Sequence, residues 1–317
     1  MSLFNVYPLF DITPIKGEDV YVFDENKNRY LDLYGGHAVI SIGSDCKGYK
    51  LFLCNSGAEA NENALKLASF QTNKKKILAI KNSFHGRTSA AVAATDNPKI
   101  IAPINQQQKV DFIEFGELTK AEEILKQNKT CALIVEIIQG VGGLDEGTTE
   151  FYLGLERLCK KYNALFIVDE VQSGFGRTGY FFAFQKHNLS PDIISLAKGM
   201  GNGFPIGGIL IHPNIKASFG LLGTTFGGNH LACKASLTVL EVLKEEKLMQ
   251  NAKEISRYFI EKAKEISAIK SIKGRGLMLG LEFDFSISEL RKKLIFDHKI
   301  FTGSAKNPNL LRILPPL

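Results

Sequence analysis

Between Leu51 and Ile211, short apolar runs alternate with amphipathic stretches. Leu51–Cys54, Lys76–Ile80, Val110–Phe115, Cys131–Ile138, Leu165–Val168 and Ile193–Leu196 are strand-length and mostly apolar, the pattern of strands buried on both faces. The sequence between them has helical spacing. Ala60, Ala64, Leu65 and Ala68 recur on one face, and Glu117–Gln127 and Phe151–Tyr162 are amphipathic. Strands alternating with helices predict an α/β fold with a mostly parallel central sheet flanked by helices, binding its ligands at the carboxyl ends of the strands. Ahead of this core, Val20–Phe23 and Arg29–Leu33 alternate around the turn-rich DENKN and predict a hairpin. Behind it, helices are predicted over Leu231–Lys244, Gln250–Ile266 and Ser288–His298, two strands around a turn over Ser271–Phe283, and a last strand in LLRILPPL, interrupted by Arg312. The expected division is an N-terminal arm over 1–43 that is part of a small domain, a large domain over 44–239, and a smaller α+β C-terminal domain over 240–317.

The candidate chemistry gathers in Ala164–Gly203. One apolar run there ends in Asp169 and Glu170, and a second delivers Lys198 into a glycine-rich turn. Charges at the ends of buried strands demand a use or a partner. A lysine amine condenses with an aldehyde cofactor once desolvation has lowered its pKa, and a carboxylate keeps a pyridine nitrogen protonated. The plainer alternative is a buried structural ion pair between Asp169 and Lys198. A nucleotide-hydrolysing reading of LFIVDE fails, because the chain has no G-x-x-x-x-G-K-[ST].

Other stretches fit the first alternative. A strand, then Ser56, Gly57 and Ala58, then a helix start offers free N–H groups and a helix dipole to an anion, although an ordinary capped helix reads the same way. In FHGRT, Phe84 suits stacking on a planar ring and Arg87 suits gripping a carboxylate. Thr224 and Thr225, in a glycine-broken loop, offer hydroxyls to phosphate, while Glu136 within an apolar run calls for a partner. His37, beside Gly35 and Gly36, reads more readily as structural.

Composition narrows the function classes. A net charge of +6 is modest, and Lys74–Lys76 reads as a solvated turn rather than a nucleic-acid patch. No apolar run is long enough to span a membrane, and the N-terminus lacks the order of a signal peptide. The five cysteines are scattered without a C-x-x-C, which argues for a reducing cytoplasm and against a disulfide framework or metal site.

Taken in order, LDLYGGHAVISIG, NSGAEANENALKLA, FHGRTSAAVAATDNP, IVDEVQSGFGRTG, PDIISLAKGMGNGFPIGG, GTTFGGNHLAC, GRGLMLGLEF and RILPPL make the chain resemble the class-III aminotransferases, fold-type I enzymes that use pyridoxal 5′-phosphate (PLP). The resemblance covers nearly the whole chain. It implies that Lys198 is the lysine bound to the cofactor, Asp169 the partner of the pyridine nitrogen, and Gln172 the contact to the ring hydroxyl. It implies further that Ser56, Gly57 and Ala58 form the phosphate turn, and that Phe84 stacks on the ring. Thr225 matches the threonine that reaches the cofactor phosphate of a neighbouring subunit, so a homodimer with shared sites is implied. Arg87 matches the arginine for the substrate carboxylate. Arg312 matches a second carboxylate-binding arginine, used for glutamate and 2-oxoglutarate. Within the family the resemblance points to the branch that transfers the amino group of N2-acetylornithine to 2-oxoglutarate in arginine biosynthesis. N-Succinylornithine, ornithine and 4-aminobutyrate are the alternative donors, and a catalytically silent PLP-binding scaffold is the alternative of another class.

Three departures stand out. The ornithine branch has a glutamate after QG that pairs with the second arginine, whereas here Val141 follows. That branch also places a tyrosine near His37 to hold free ornithine; its absence favours an acylated donor. Finally, the family has several tens more residues between Gly43 and the GYKLFL strand, and usually a C-terminal helix after PPL. The short junction reads as a missing segment of a mobile N-terminal region rather than a natural deletion, which would remove packed elements as well as loops.

Overall fold

The computed structural model describes residues 14–18, 21–25, 29–31, 48–298 and 300–317. β1 (Pro14–Glu18), β2 (Tyr21–Asp24) and β3 (Arg29–Leu31) form an antiparallel three-stranded sheet. The expected hairpin is β2–β3, and β1 is an addition to it. Gly35, Gly36, His37 and the short junction after Gly43 lie outside the described residues.

The centre is a seven-stranded sheet built from β4 (Lys50–Cys54), β5 (Lys76–Ile80), β6 (Val110–Ile113), β7 (Thr130–Val135), β8 (Leu165–Asp169), β9 (Ile193–Leu196) and β10 (Gly207–Ile211). Their order is β4-β10-β9-β8-β7-β5-β6. β10 runs antiparallel to both its neighbours, and the remaining pairings are parallel. Alternate residues of each strand feed two cores. Leu78, Leu133, Phe166 and Ile194 pack on one side with Phe151 and Leu155 of α4 (Thr149–Lys161). Ile77, Ala132, Ile167 and Ile193 pack on the other with Ala60, Ala64 and Leu67 of α1 (Gly57–Thr72). Burial on both faces is why the strands read as continuous apolar runs, and each buried Leu or Ile contributes about 1.5–3 kcal/mol. α2 (Ser89–Ala93) and α3 (Leu118–Lys126) complete the helices of this region.

The last third holds α5 (His230–Glu245), α6 (Leu248–Lys264) and α7 (Ser288–Phe296). They accompany an antiparallel sheet of order β11-β12-β14-β13, from β11 (Ser271–Arg275), β12 (Met278–Glu282), β13 (Gly303–Ser304) and β14 (Leu310–Ile313). Residue 240 falls inside α5. A helix is not a linker, so we propose that the smaller domain begins after α5 instead. Among the described residues no helix is long and apolar enough to cross a membrane. Lys74 Nζ donates to the carbonyls of Tyr162 and Asn163, and Lys76 pairs with Asp111, so two members of the lysine run are engaged within the fold.

Candidate active site

The carboxyl edge of the sheet opens into a cavity of ≈ 680 Å³. Asp169 is the last residue of β8, and Lys198 follows β9 by two residues. These strands are parallel neighbours, so the two side chains reach the same cavity.

Asp169 is only 4% exposed and is held by three donors. Its Oδ2 accepts from Asn61 Nδ2 at 2.7 Å and lies 2.8 Å from His85 Nδ1; its Oδ1 accepts from the Val171 N–H at 2.9 Å. A carboxylate only accepts, so Nδ1 of His85 carries the proton there. Asn61 Nδ2 also donates to the His85 carbonyl at 2.7 Å, which ties the trio together. The plainer alternative raised by the sequence, an ion pair between Asp169 and Lys198, does not form; the side chains that Asp169 contacts are Asn61 and His85.

Lys198 adopts φ = 47°, the left-handed region that a side chain disfavours, and strain of this kind concentrates at functional sites. Its amine has no hydrogen-bond or ion-pair partner among the described residues. It is open to the cavity's solvent, yet the surrounding protein desolvates it and lowers its pKa. Asp169 and Glu136 oppose that shift, and Arg312 adds to it.

At the start of α1, Ser56 is the cap: its Oγ accepts from the Glu59 N–H at 3.2 Å. The N–H groups of Gly57 and Ala58 have no partner among the described residues, and both residues line the cavity, as an anion cradle requires. Phe84, Arg87 and Gln172 line the same cavity. The Arg87 guanidinium has no hydrogen bond or ion pair among the described residues. Gln172 Oε1 is buried without a partner. It sits so close to Gly140 that a Cβ there would lie 2.2 Å from it, so a side chain at that position would push the Gln172 amide aside.

Glu136, which the sequence marked as needing a partner, accepts from two backbone groups. The Phe84 N–H lies 2.9 Å from Oε1 and the Gly140 N–H 2.8 Å from Oε2. Burial raises its pKa, while the facing His85 pulls it down and Asp169 pushes it further up. Two expected residues stand apart. Arg312 reaches in from β14, but its Nη1 donates to the Gly140 carbonyl at 2.6 Å and its Nε has no partner. Thr225 is exposed and outside the cavity, and Thr224 Oγ1 is engaged with Asn55 Nδ2 and the Gly227 N–H. The structural part of Asn61 was missed in the sequence, although a signal existed: Asn61, Ala64, Leu65 and Ala68 share the buried stripe of α1. A polar residue on such a stripe must find a buried partner.

Known proteins resemble the chain along most of its length. The sequence model of the family described as Aminotransferase class-III matches residues 43–317. The chain is 36% identical to acetylornithine aminotransferase of Aquifex aeolicus, over 99% of this chain and 94% of that one. It is 34% identical to acetylornithine aminotransferase of Bacillus subtilis, over 100% and 93% respectively. The first alignment runs over 367 positions against the 317 residues here, so it must open gaps in this chain. A crystal structure of ornithine aminotransferase from Toxoplasma gondii superposes with a TM-score of 0.79 at 26% identity, covering 98% of this chain and 86% of that one.

Proposed function

The chain belongs to the class-III aminotransferases, and we propose that it transfers the side-chain amino group of N2-acetylornithine to 2-oxoglutarate, giving N-acetylglutamate 5-semialdehyde and glutamate. One observation carries the reading: a desolvated amine at Lys198, with no partner among the described residues, shares a cavity with a carboxylate that three donors hold still. Its cofactor is pyridoxal 5′-phosphate, which when bound supplies an electron sink and stores the amino group between substrates.

The residues present fit that cofactor. The free N–H groups of Gly57 and Ala58, with Ser56, suit its phosphate. The orphaned Gln172 Oε1 suits its ring hydroxyl, Phe84 its ring face, and Asp169 its protonated ring nitrogen. Lys198 Nζ would hold the cofactor through its aldehyde group and, as a free amine, would move the proton at the donor's δ-carbon. A lowered pKa helps both roles, since only the neutral amine attacks or accepts a proton. Arg87 grips the substrate carboxylate through its free fork. Arg312 takes the second carboxylate of glutamate or 2-oxoglutarate, exchanging the neutral Gly140 carbonyl for a charged partner. Because Val141 stands where the ornithine branch has a glutamate, Arg312 needs no release from a carboxylate first, and a group other than that glutamate handles the choice between the two substrates.

The working unit is a cytoplasmic homodimer. Thr225 lies on an exposed loop beside Phe226, which is 71% exposed, and Phe219, 61% exposed; that surface suits cover by a second copy whose cofactor phosphate Thr225 reaches. The test is glutamate formation by purified protein with PLP and 2-oxoglutarate, each amino donor supplied in turn. N2-acetylornithine is expected to give the highest kcat/KM, ahead of N-succinylornithine, ornithine and 4-aminobutyrate. Cofactor binding with no transfer from any donor would identify a silent scaffold.

A further inference from the structure

Glu62, on the second turn of α1, is aimed away from its own helix at the loop that carries Arg87. Its Oε2 accepts from Thr88 Oγ1 at 2.7 Å, the Ala90 N–H at 3.0 Å and the Ala91 N–H at 3.1 Å, and its Oε1 accepts from the Ala90 N–H at 3.0 Å. Those N–H groups open α2, whose own cap residue, Thr88, makes no side-chain capping bond. Glu62 therefore caps α2 from a different helix. Thr88 Oγ1 also lies 3.3 Å from the Ala58 carbonyl. On the other side of Arg87, Gly86 takes φ = +138° and presses so close to α1 that a Cβ would lie 2.8 Å from that of Ala58. The backbone is thus fixed to α1 immediately before and after Arg87, while the guanidinium itself has no partner among the described residues.

We propose that Glu62 is a positioning residue that sets where the Arg87 fork stands, and so sets the affinity for the substrate carboxylate. This rests on the reading of Arg87 as the carboxylate site. Because Glu62 belongs to the helix whose N-terminus forms the phosphate cradle, one helix indexes both ends of the bound assembly, cofactor phosphate and substrate carboxylate. A fixed spacing of that kind is what orientation-dependent catalysis requires.

The test uses PLP-loaded enzyme with Glu62→Ala, Glu62→Gln and Arg87→Ala. KM and kcat are measured for N2-acetylornithine, and single-turnover rates for n-butylamine, which has no carboxylate. Glu62→Ala is expected to raise KM for N2-acetylornithine about 10-fold with kcat held, and to leave the n-butylamine rate unchanged. Glu62→Gln, which keeps an acceptor for the backbone groups, is expected to show a smaller rise. Equal losses on both amines would make Glu62 merely structural and overturn the proposal. If Arg87→Ala raises KM and Glu62→Ala does not, the proposal fails alone; if Arg87→Ala leaves KM unmoved, the reading of Arg87 fails first. Should Glu62→Ala not fold, Glu62→Gln decides, and an unchanged KM there overturns the proposal.

Discussion

At the end of β8, Asp169 is gripped by a side chain from α1, a histidine from the loop after β5 and its own turn; just past the end of β9, one strand away, the Lys198 amine has no hydrogen-bond or ion-pair partner among the described residues. Asp169 sits in ordinary extended backbone as the last residue of its strand, whereas Lys198 is held at a positive φ. The contrast separates two demands. A group that only orients and compensates charge gains from being immobile and fully bonded. A group that must form and break bonds gains from having nothing to give up, and the strain and desolvation at Lys198 are offset by the packed sheet beneath it.

The most severe break in this contrast is Lys198→Ala. Turnover is expected to fall by at least about 10⁴-fold, because nothing else in the cavity supplies a neutral amine, while the melting temperature holds because no internal bond is lost. Asp169→Asn keeps the shape of the other side and removes its charge. Steady-state assays are expected to show a loss of about 10²–10³-fold. Arg312→Ala lies outside the pair and sharpens it: KM for 2-oxoglutarate is expected to rise about 10- to 100-fold, while KM for N2-acetylornithine stays put.

The smallest effect concerns stability. Glu170 follows Asp169 but turns inward, accepting from Ser173 Oγ and the Phe184 N–H, and burial pushes its carboxyl from 4.5 up to about 7. The folded chain therefore keeps a proton there that the unfolded chain releases above about pH 4.5. The stability this proton contributes is complete below that pH and is lost as pH rises through about 7, at most about 3 kcal/mol. Thermal melts between pH 4.5 and 7 should show Glu170→Gln with the flatter profile.

Much of this arrangement was legible in the chain because it follows from local pattern. Apolar runs ending in Asp169 and Lys198 locate the edge of the sheet, and Ser56, Gly57 and Ala58 before a helical stripe locate the cradle. What stayed hidden depends on distant partners. Asn61 and Asp169 are 108 residues apart and meet only because α1 lies across the sheet. The seat of Arg312 on the Gly140 carbonyl joins residues 172 apart, one on β14 and the other in the loop that follows β7. The span of α5 was likewise not legible as a boundary: residue 240 falls inside that helix, and we propose that the smaller domain begins after it. β1 was missed because PIKGE has no alternation to announce it.

The most direct test of the central claim, that Lys198 is the reactive partner of an immobile Asp169, is an absorbance titration. Purified protein and its Lys198→Ala variant are each given PLP and then N2-acetylornithine. The wild type is expected to develop a band near the visible edge that moves to shorter wavelength as N2-acetylornithine is added, and the variant to show no such conversion on that timescale. The same conversion at the same rate without Lys198 would contradict the account.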